Sequence, residues 1–492
     1  RHSRFPQKSQ KNPCQKTCCR KKAPSEQQEN RINFLDGLTA EALRHLEKAL
    51  THEPNHVPAL IALSNAYLKQ GNFPEVEKLL KKALSFRQDQ SEVFFLMARL
   101  LVLRNNHDAA AESIDEAIKL EPDQPKLYRL ASDIARDRRK SFERQLFLER
   151  LIDLEPLDGE AHYELGKLLH HPDDFDRVKL LFEISIDLLP DDTQPMFSLA
   201  QHLYAGEKSL ADGTISVQRE PENAKELLRE ILSVDPRESK AKILLAEIEL
   251  KSDEEIVATR LLEEALEDKR TKGEASYELG LIWEKKGNAA KATRYYKSAM
   301  EYEDWEALGE FRLALVMLGK GKSKDAVKHF GKCISSFKKK EGHLVKSKDL
   351  HLEKLDFHAS RKELESLQLI RKCLGEANLG IYKCNYESRN DESFSRYLDE
   401  ALIHYPHYPE ANYEKGLRHI QSGEEENAKE RFEKSVEGDW NHWPSHMELA
   451  KIAKIGNELQ KAEMHLKIVL DLDPTNKAAS SFLKKIQKSS KK

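Results

Sequence analysis

The chain has 492 residues, too many for one ordinary globular core, so it holds several domains or a repeat array. Lys and Arg number 81 against 84 for Asp and Glu, and a net charge of −3 argues against a nucleic-acid binder or a membrane-surface protein. No run of about 18 apolar residues occurs, which excludes an ordinary transmembrane helix, and six scattered cysteines suit a reducing compartment better than a disulfide framework.

Residues 1–36 read as a disordered basic tail. Arg1 to Lys22 carry only basic charges, with Pro6, Pro13 and several Gln. The sequence opens at Arg1 rather than Met, so the native start is expected elsewhere. No apolar core of a secretory signal is present. The lack of acids leaves a mitochondrial presequence open, but no amphipathic stripe supports one. Cys14, Cys18 and Cys19 lack a clear fourth ligand for zinc and read as an incidental cluster.

From 37 to 336 a repeat governs the chain. Pro54, Pro122, Pro156 and Pro190 are spaced by 34 residues or twice that, and Pro406 and Pro474 keep the same arithmetic. Taking the proline as position 32, position 20 is small in Ala110, Ala224, Ala258, Ala292, Ala326, Ala428 and Ala462. Position 24 is large in Leu80, Ile114, Phe182, Leu262, Tyr296, Phe330, Phe432 and Leu466, and position 27 is small again. In the preceding segment, position 8 is Gly166, Gly280, Gly416, Ala98, Ala200, Ala246, Ala314 or Ala450. Offsets of three and four put positions 20, 24 and 27 on one helix face. Small residues let helices approach, and the large one fills the gap. Gly71, Gly287 and Gly423 punctuate the turn within a hairpin.

Cycles begin near Val57, Ser91, Pro125, Gly159, Thr193, Ser239, Gly273, Ala307, Pro409 and Trp443. Before them, Ala42, Leu46 and Ala49 make half a repeat. Arg144 and Leu151 replace small residues in one unit, which predicts looser packing there. An insert falls near 206–220, because Pro190 to Pro236 spans 46 residues. Over 337–361 the pattern vanishes into a Lys-rich stretch with Lys338, Lys339, Lys340, Lys346 and Lys348, read as a solvated loop. Either a degenerate repeat or a flexible insert fits it. The array continues over 362–474, opening with a long amphipathic helix from Lys362 to Tyr386. Residues 475–492 predict a capping helix, apolar at Ala479, Phe482, Leu483 and Ile486.

These residues resemble tetratricopeptide repeats over roughly Gly37 to Pro474. The resemblance implies an all-α solenoid, a right-handed superhelix of about 11–12 helical hairpins whose first helices line a concave groove. Within that frame positions 2, 5, 6 and 9 approach the groove. Three first helices share a string: Glu160-Ala-His-Tyr163-Glu164, Glu274-Ala-Ser-Tyr277-Glu278 and Glu410-Ala-Asn-Tyr413-Glu414. Glu448 repeats the last acid, and Phe95, Phe197 and Phe311 share position 5. One reading is an aromatic, acidic groove for a basic extended or helical segment of a partner. The other is that duplication copied packing and solubilising residues.

Two family specialisations fail by inspection. A clamp for heat-shock chaperone tails needs Lys, Asn and Arg at places held by Leu96, Leu130, Leu244 and Glu278; only Asn65 matches. An asparagine ladder at position 6 is absent. His442 and His446 straddle Pro444 and need not share a face, Cys333 reads as core, and no catalytic dyad, phosphate loop, cofactor site or metal site stands out. The expectation is a non-catalytic scaffold or adaptor of a multiprotein complex, cytoplasmic, with nuclear, ciliary or mitochondrial placement also open. The rival is the targeting arm of an enzyme, such as a glycosyltransferase or ligase, whose catalytic part lies outside this chain. The capping helix speaks against a fusion beyond the C-terminus. An RNA-binding repeat is disfavoured by the near-neutral charge and acidic row.

Overall fold

The computed structural model describes residues 41–489 except 88, 170, 206, 210–214, 218–219, 354–356 and 386–391. The basic tail with Cys14, Cys18 and Cys19 lies outside the described residues. Two compact units divide the chain, Arg1–Ile134 and Ala135–Lys492.

In the first unit helix 41–52 precedes the hairpins Val57–Lys69 with Phe73–Phe86 and Ser91–Leu103 with His107–Leu120. The second unit runs Ser141–Leu154, Gly159–Leu168 with Phe175–Leu188, Thr193–Ala205 with Pro221–Val234, and Ser239–Lys251 with Glu255–Ala265. Lys272–Lys285 with Ala289–Ala299, Glu303–Gly319 with Ser323–Glu353, and Phe357–Cys384 with Glu392–His404 follow. Pro409–Gln421 with Glu425–Gly438, Trp443–Ile455 with Leu459–Leu472, and the terminal helix Lys477–Ser489 complete it.

The turns explain the hairpins. After the first helix the backbone enters the left-handed region at Gly71, Gly287, Gly321 and Gly423, with φ of 69–77°. Asn105, Arg139, Asp253 and Asn457 take the same conformation at 57–61° without glycine. The next amide then reaches back to close the helix, as Asn72 does to Tyr67 at 3.0 Å and Asn288 to Trp283 at 2.9 Å. Second helices start on side-chain caps where Asn106 and Asn288 accept from the amides of Ala109 and Lys291.

Repeat position predicts burial. Ala98, Ala110, Ala200, Ala224, Ala246, Ala258, Ala292, Ala314, Ala428 and Ala450 are fully buried, and so are Leu80, Tyr296, Phe330 and Phe432. Positions 8 and 24 are also matched in size. A Cβ added to Gly166, Gly280 or Gly416 would lie 2.7, 2.3 or 2.6 Å from Phe182, Tyr296 or Phe432. Glycine stands where the facing ring is aromatic, whereas Ala200, Ala246 and Ala450 share units with Leu228, Leu262 and Leu466. Ala314 breaks this rule, and Gly380 compensates: its added Cβ would meet Phe330 at 2.4 Å. Phe330 therefore takes its clearance from the following first helix.

The Lys-rich stretch is helix rather than loop over 337–353, where Ser323–Glu353 runs 31 residues against 11–14 for other second helices such as Ala289–Ala299 and Phe73–Phe86. The reason is a longer apolar seam. Buried Phe337 and half-buried Leu344 pack with Ile370, Cys373 and Leu374 of Phe357–Cys384. Two of the lysines are tied back to the array: Lys338 reaches Glu400 at 3.1 Å, and Lys340 donates to the carbonyl oxygens of Glu303 and Asp304 at 3.2 and 3.1 Å. Arg371 pairs with Glu341 at 2.8 Å. In the insert near 206–220, strands Glu207–Ser209 and Ile215–Val217 pair antiparallel, with Glu207 opposite Val217. β-Branched Ile215 and Val217 suit that ribbon.

Arg144 is held by its own contact. It turns to pair with Glu164 on the next helix, and Leu151 is 1% exposed. Ala42 and Ala49, by contrast, are exposed on helix 41–52. At the other end Ala479 and Ile486 are buried with Ala462, Leu466 and Val469, while Lys477, Lys484, Lys485 and Lys488 face outward.

A histidine pair near this end makes stability depend on pH. His446 donates from Nε2 to the carbonyl of Trp440 at 3.0 Å, so its Nδ1 is free to accept from Nδ1–H of His465 at 2.9 Å. Burial, and then the neighbouring His446 and Lys461, push His465 down to about 4 from an ordinary 6.5. The unfolded chain takes up this proton first, so the contribution is complete above about pH 6.5 and is lost as pH falls toward 4. His465→Gln should therefore gain melting temperature relative to wild type on acidification from pH 7 to 5. Parallel melting curves against pH would refute the pairing.

Candidate functional site

The position-5 aromatics are built into the repeat core. In the second unit four of them stand on the position-24 ring of their own hairpin: Tyr163 on Phe182 at 6.0 Å, Tyr277 on Tyr296 at 5.9 Å, Phe311 on Phe330 at 6.0 Å and Tyr413 on Phe432 at 5.8 Å. Tyr277 and Phe311 are buried, Tyr163, Phe197 and Tyr413 half-buried. Phe95, in the first unit, lies under Arg99 and Lys126, with centroid distances of 5.7 and 5.2 Å. Asn65, the lone clamp match, accepts from Arg99 at 3.3 Å.

Phenol oxygens link successive first helices. Ser198 donates to Tyr163 at 3.4 Å, and Arg312 donates from Nε to Tyr277 at 3.2 Å. Trp305 adds a ring 5.2 Å from Tyr277 and fixes its plane.

The three recurring strings differ in electrostatic state. Glu160 is exposed, and Glu164 is already paired with Arg144 and, at 2.9 Å, with Lys167. Burial works against its charge, but hydrogen bonds from Lys167 and Arg144 hold its pKa below the usual value. Glu448 bridges Lys451 at 2.7 Å, and Glu414 also has a partner. Glu274 and Glu278 are half-buried and make no hydrogen bond or ion pair with any described residue. Burial, then the charges of Glu247 and Glu274, push Glu278 up to about 7, with Arg312 opposing. Burial and Glu247 likewise raise Glu274.

Three further members of this face escaped the sequence reading. Glu247 accepts from Lys251 at 3.1 Å and from the Tyr204 hydroxyl at 3.4 Å. Arg312 is half-buried, and its charge acts on both Glu278 and Glu376. Glu376 is half-buried without a described partner, and burial raises its pKa, with a smaller contribution from Glu410. Glu247 is at position 9 and Arg312 at position 6, so both fall in the expected rows but outside the repeated string. Glu376 lies where the repeat register was lost.

His442 and His446 turn apart. His442 bonds Ser445 at 2.9 Å, while His446 faces Trp440 and His465. Cys333 is buried. Among the described residues no group of three His, Cys, Asp or Glu is placed to hold a metal ion, and no helix is long and apolar enough to cross a membrane.

Family models for the tetratricopeptide repeat match 34–100 and 91–124. Residues 34–124 thus match the tetratricopeptide-repeat family, and the hairpins beyond them keep its pattern of residue sizes through Pro474. A human relative, Protein O-mannosyl-transferase TMTC1, is 24% identical over 167 residues, which is 32% of this chain and 19% of that protein. The chain thus matches about a fifth of the relative's length. Solved structures it resembles include the APC/C hetero-tetramer Cut9-Hcn1, at 13% identity over 93% of this chain and 94% of that one, TM-score 0.41. The human IFIT1 dimer with PPP-AAAA gives 15%, 82%, 91% and 0.43. YrrB, a TPR protein with an unusual peptide-binding site, gives 14%, 40%, 95% and 0.34.

Proposed function

We propose that this chain is a non-catalytic scaffold or adaptor whose first-helix groove holds a basic segment of another protein. The observation that carries this reading is the unpaired state of Glu274, Glu278 and Glu376. A half-buried carboxylate without a partner is costly, and other half-buried acids here, such as Glu164 and Glu448, are paired within the chain. A lysine or arginine from a partner supplies the missing cation.

The test joins binding to stability. A displayed library of 15-residue peptides selected on the intact chain should enrich Lys and Arg. Glu274→Gln, Glu278→Gln and Glu376→Gln together should weaken the selected peptides about tenfold, given roughly 0–1 kcal/mol per partly exposed pair. Glu278 has a folded pKa raised to about 7 from 4.5, so its contribution is full below 4.5 and lost as pH rises through 7. Glu278→Gln should consequently stabilise the free chain at pH 8 but not at pH 4, the mark of a residue kept for binding. No charge preference in selection, or unchanged affinity in the triple variant, would defeat the reading.

The resemblance to a human O-mannosyl-transferase supports a second reading, an arm that presents polypeptides to an enzyme whose catalytic part is outside this chain. Affinity purification of the intact protein would then recover one glycosyltransferase in stoichiometric amount. A stable set of non-enzymatic subunits would favour the scaffold.

A further inference from the structure

Arg312 is the feature that a purely acidic groove does not explain. It projects from Glu303–Gly319, between Lys272–Lys285 with its Glu274 and Glu278 and Phe357–Cys384 with its Glu376. Its Nε is held by the buried phenol of Tyr277 at 3.2 Å, and that phenol is wedged by Trp305 and Tyr296. The other guanidinium N–H groups meet no acceptor among the described residues, and no carboxylate comes within ion-pair distance. A planar donor fork is thus oriented and unfilled between two unfilled acidic positions. Such a fork suits a carboxylate, which it can engage through two parallel bonds.

We propose that the segment this face recognises carries alternating charge: basic opposite Glu274 and Glu278, acidic opposite Arg312, and basic again opposite Glu376 and Glu410. This rests on the groove reading above and specifies its ligand. The three first helices touch in sequence. Packed helices lie about 8–10 Å apart, and an extended chain advances about 3.3 Å per residue. The charges of the ligand are therefore about three residues apart, basic at i, acidic near i+3 and basic near i+6. An all-basic segment would set a like charge against Arg312, which is unfavourable across an interface.

Fluorescence anisotropy with the full chain at pH 8 separates the possibilities. Two labelled, otherwise alanine and serine peptides of about twelve residues suffice, one with Arg, Glu, Arg at three-residue spacing and one with Arg at all three places. The alternating peptide should bind wild type about tenfold more tightly. Arg312→Gln should abolish the difference, and Arg312→Glu should invert it. Circular dichroism and Tyr277-region hydrogen exchange would confirm that the variants stay folded. Equal or tighter binding of the all-arginine peptide to wild type, or discrimination that survives in Arg312→Gln, overturns the alternating pattern while leaving an acidic groove intact. Failure of both peptides to bind removes the groove reading and the pattern with it.

Discussion

Glu249→Ala should cost about 3 kcal/mol and lower hydrogen-exchange protection across 221–265 before other hairpins respond. Glu249 and Lys225 are 4% and 5% exposed and bridge a second helix to the next first helix at 3.0 Å. Ser252 accepts from the same ammonium at 3.1 Å, and Arg229 reaches the other carboxylate oxygen at 3.1 Å. Removing the carboxylate strands a buried ammonium, and desolvation then goes uncompensated. The expected loss sits at the low end for buried pairs because Glu222 still reaches Lys225 at 3.3 Å. The pair is not itself a large source of stability. Glu249→Leu combined with Lys225→Met should recover most of the loss, since apolar replacement of both ions removes the desolvation penalty. A double variant as unstable as Glu249→Ala would show that geometry, rather than stranded charge, set the cost.

Gly280→Ala should destabilise its hairpin by about 1–3 kcal/mol through overpacking. The added Cβ would lie 2.3 and 2.5 Å from two ring carbons of Tyr296. That ring is fully buried and its hydroxyl is tied to Glu284, so it has little room to move. Tyr296→Leu in the same chain should restore the fit, because it recreates the alanine–leucine match of Ala246 with Leu262 and Ala450 with Leu466. A denaturation cycle over the four proteins measures the coupling. Additive costs would mean that positions 8 and 24 do not meet as described. The same logic predicts no such rescue within the Ala307 unit, where Phe330 takes its clearance from Gly380 in the next first helix.

The sequence by itself determined the hairpins and their register. Small residues at positions 8, 20 and 27 around a large residue at 24 can be satisfied only by helices in close contact, and contacts between neighbours 34 residues apart are visible as periodicity. Gly71, Gly287 and Gly423 marked turns for the same local reason, whereas Asn105, Arg139, Asp253 and Asn457 adopt that turn without its usual residue. Tertiary structure alone decided what periodicity cannot encode. The stretch 337–353 is helical because Phe337 and Leu344 find a seam on a helix beyond the lost register. Arg144 is accommodated because Glu164 lies across from it. Likewise the string Glu-Ala-x-Tyr-Glu is the same three times, yet Glu164 is neutralised and Glu278 is not, because the charge next to each comes from a different helix. A repeated sequence fixes where a side chain sits on its own helix; which charges surround it depends on neighbours that do not repeat.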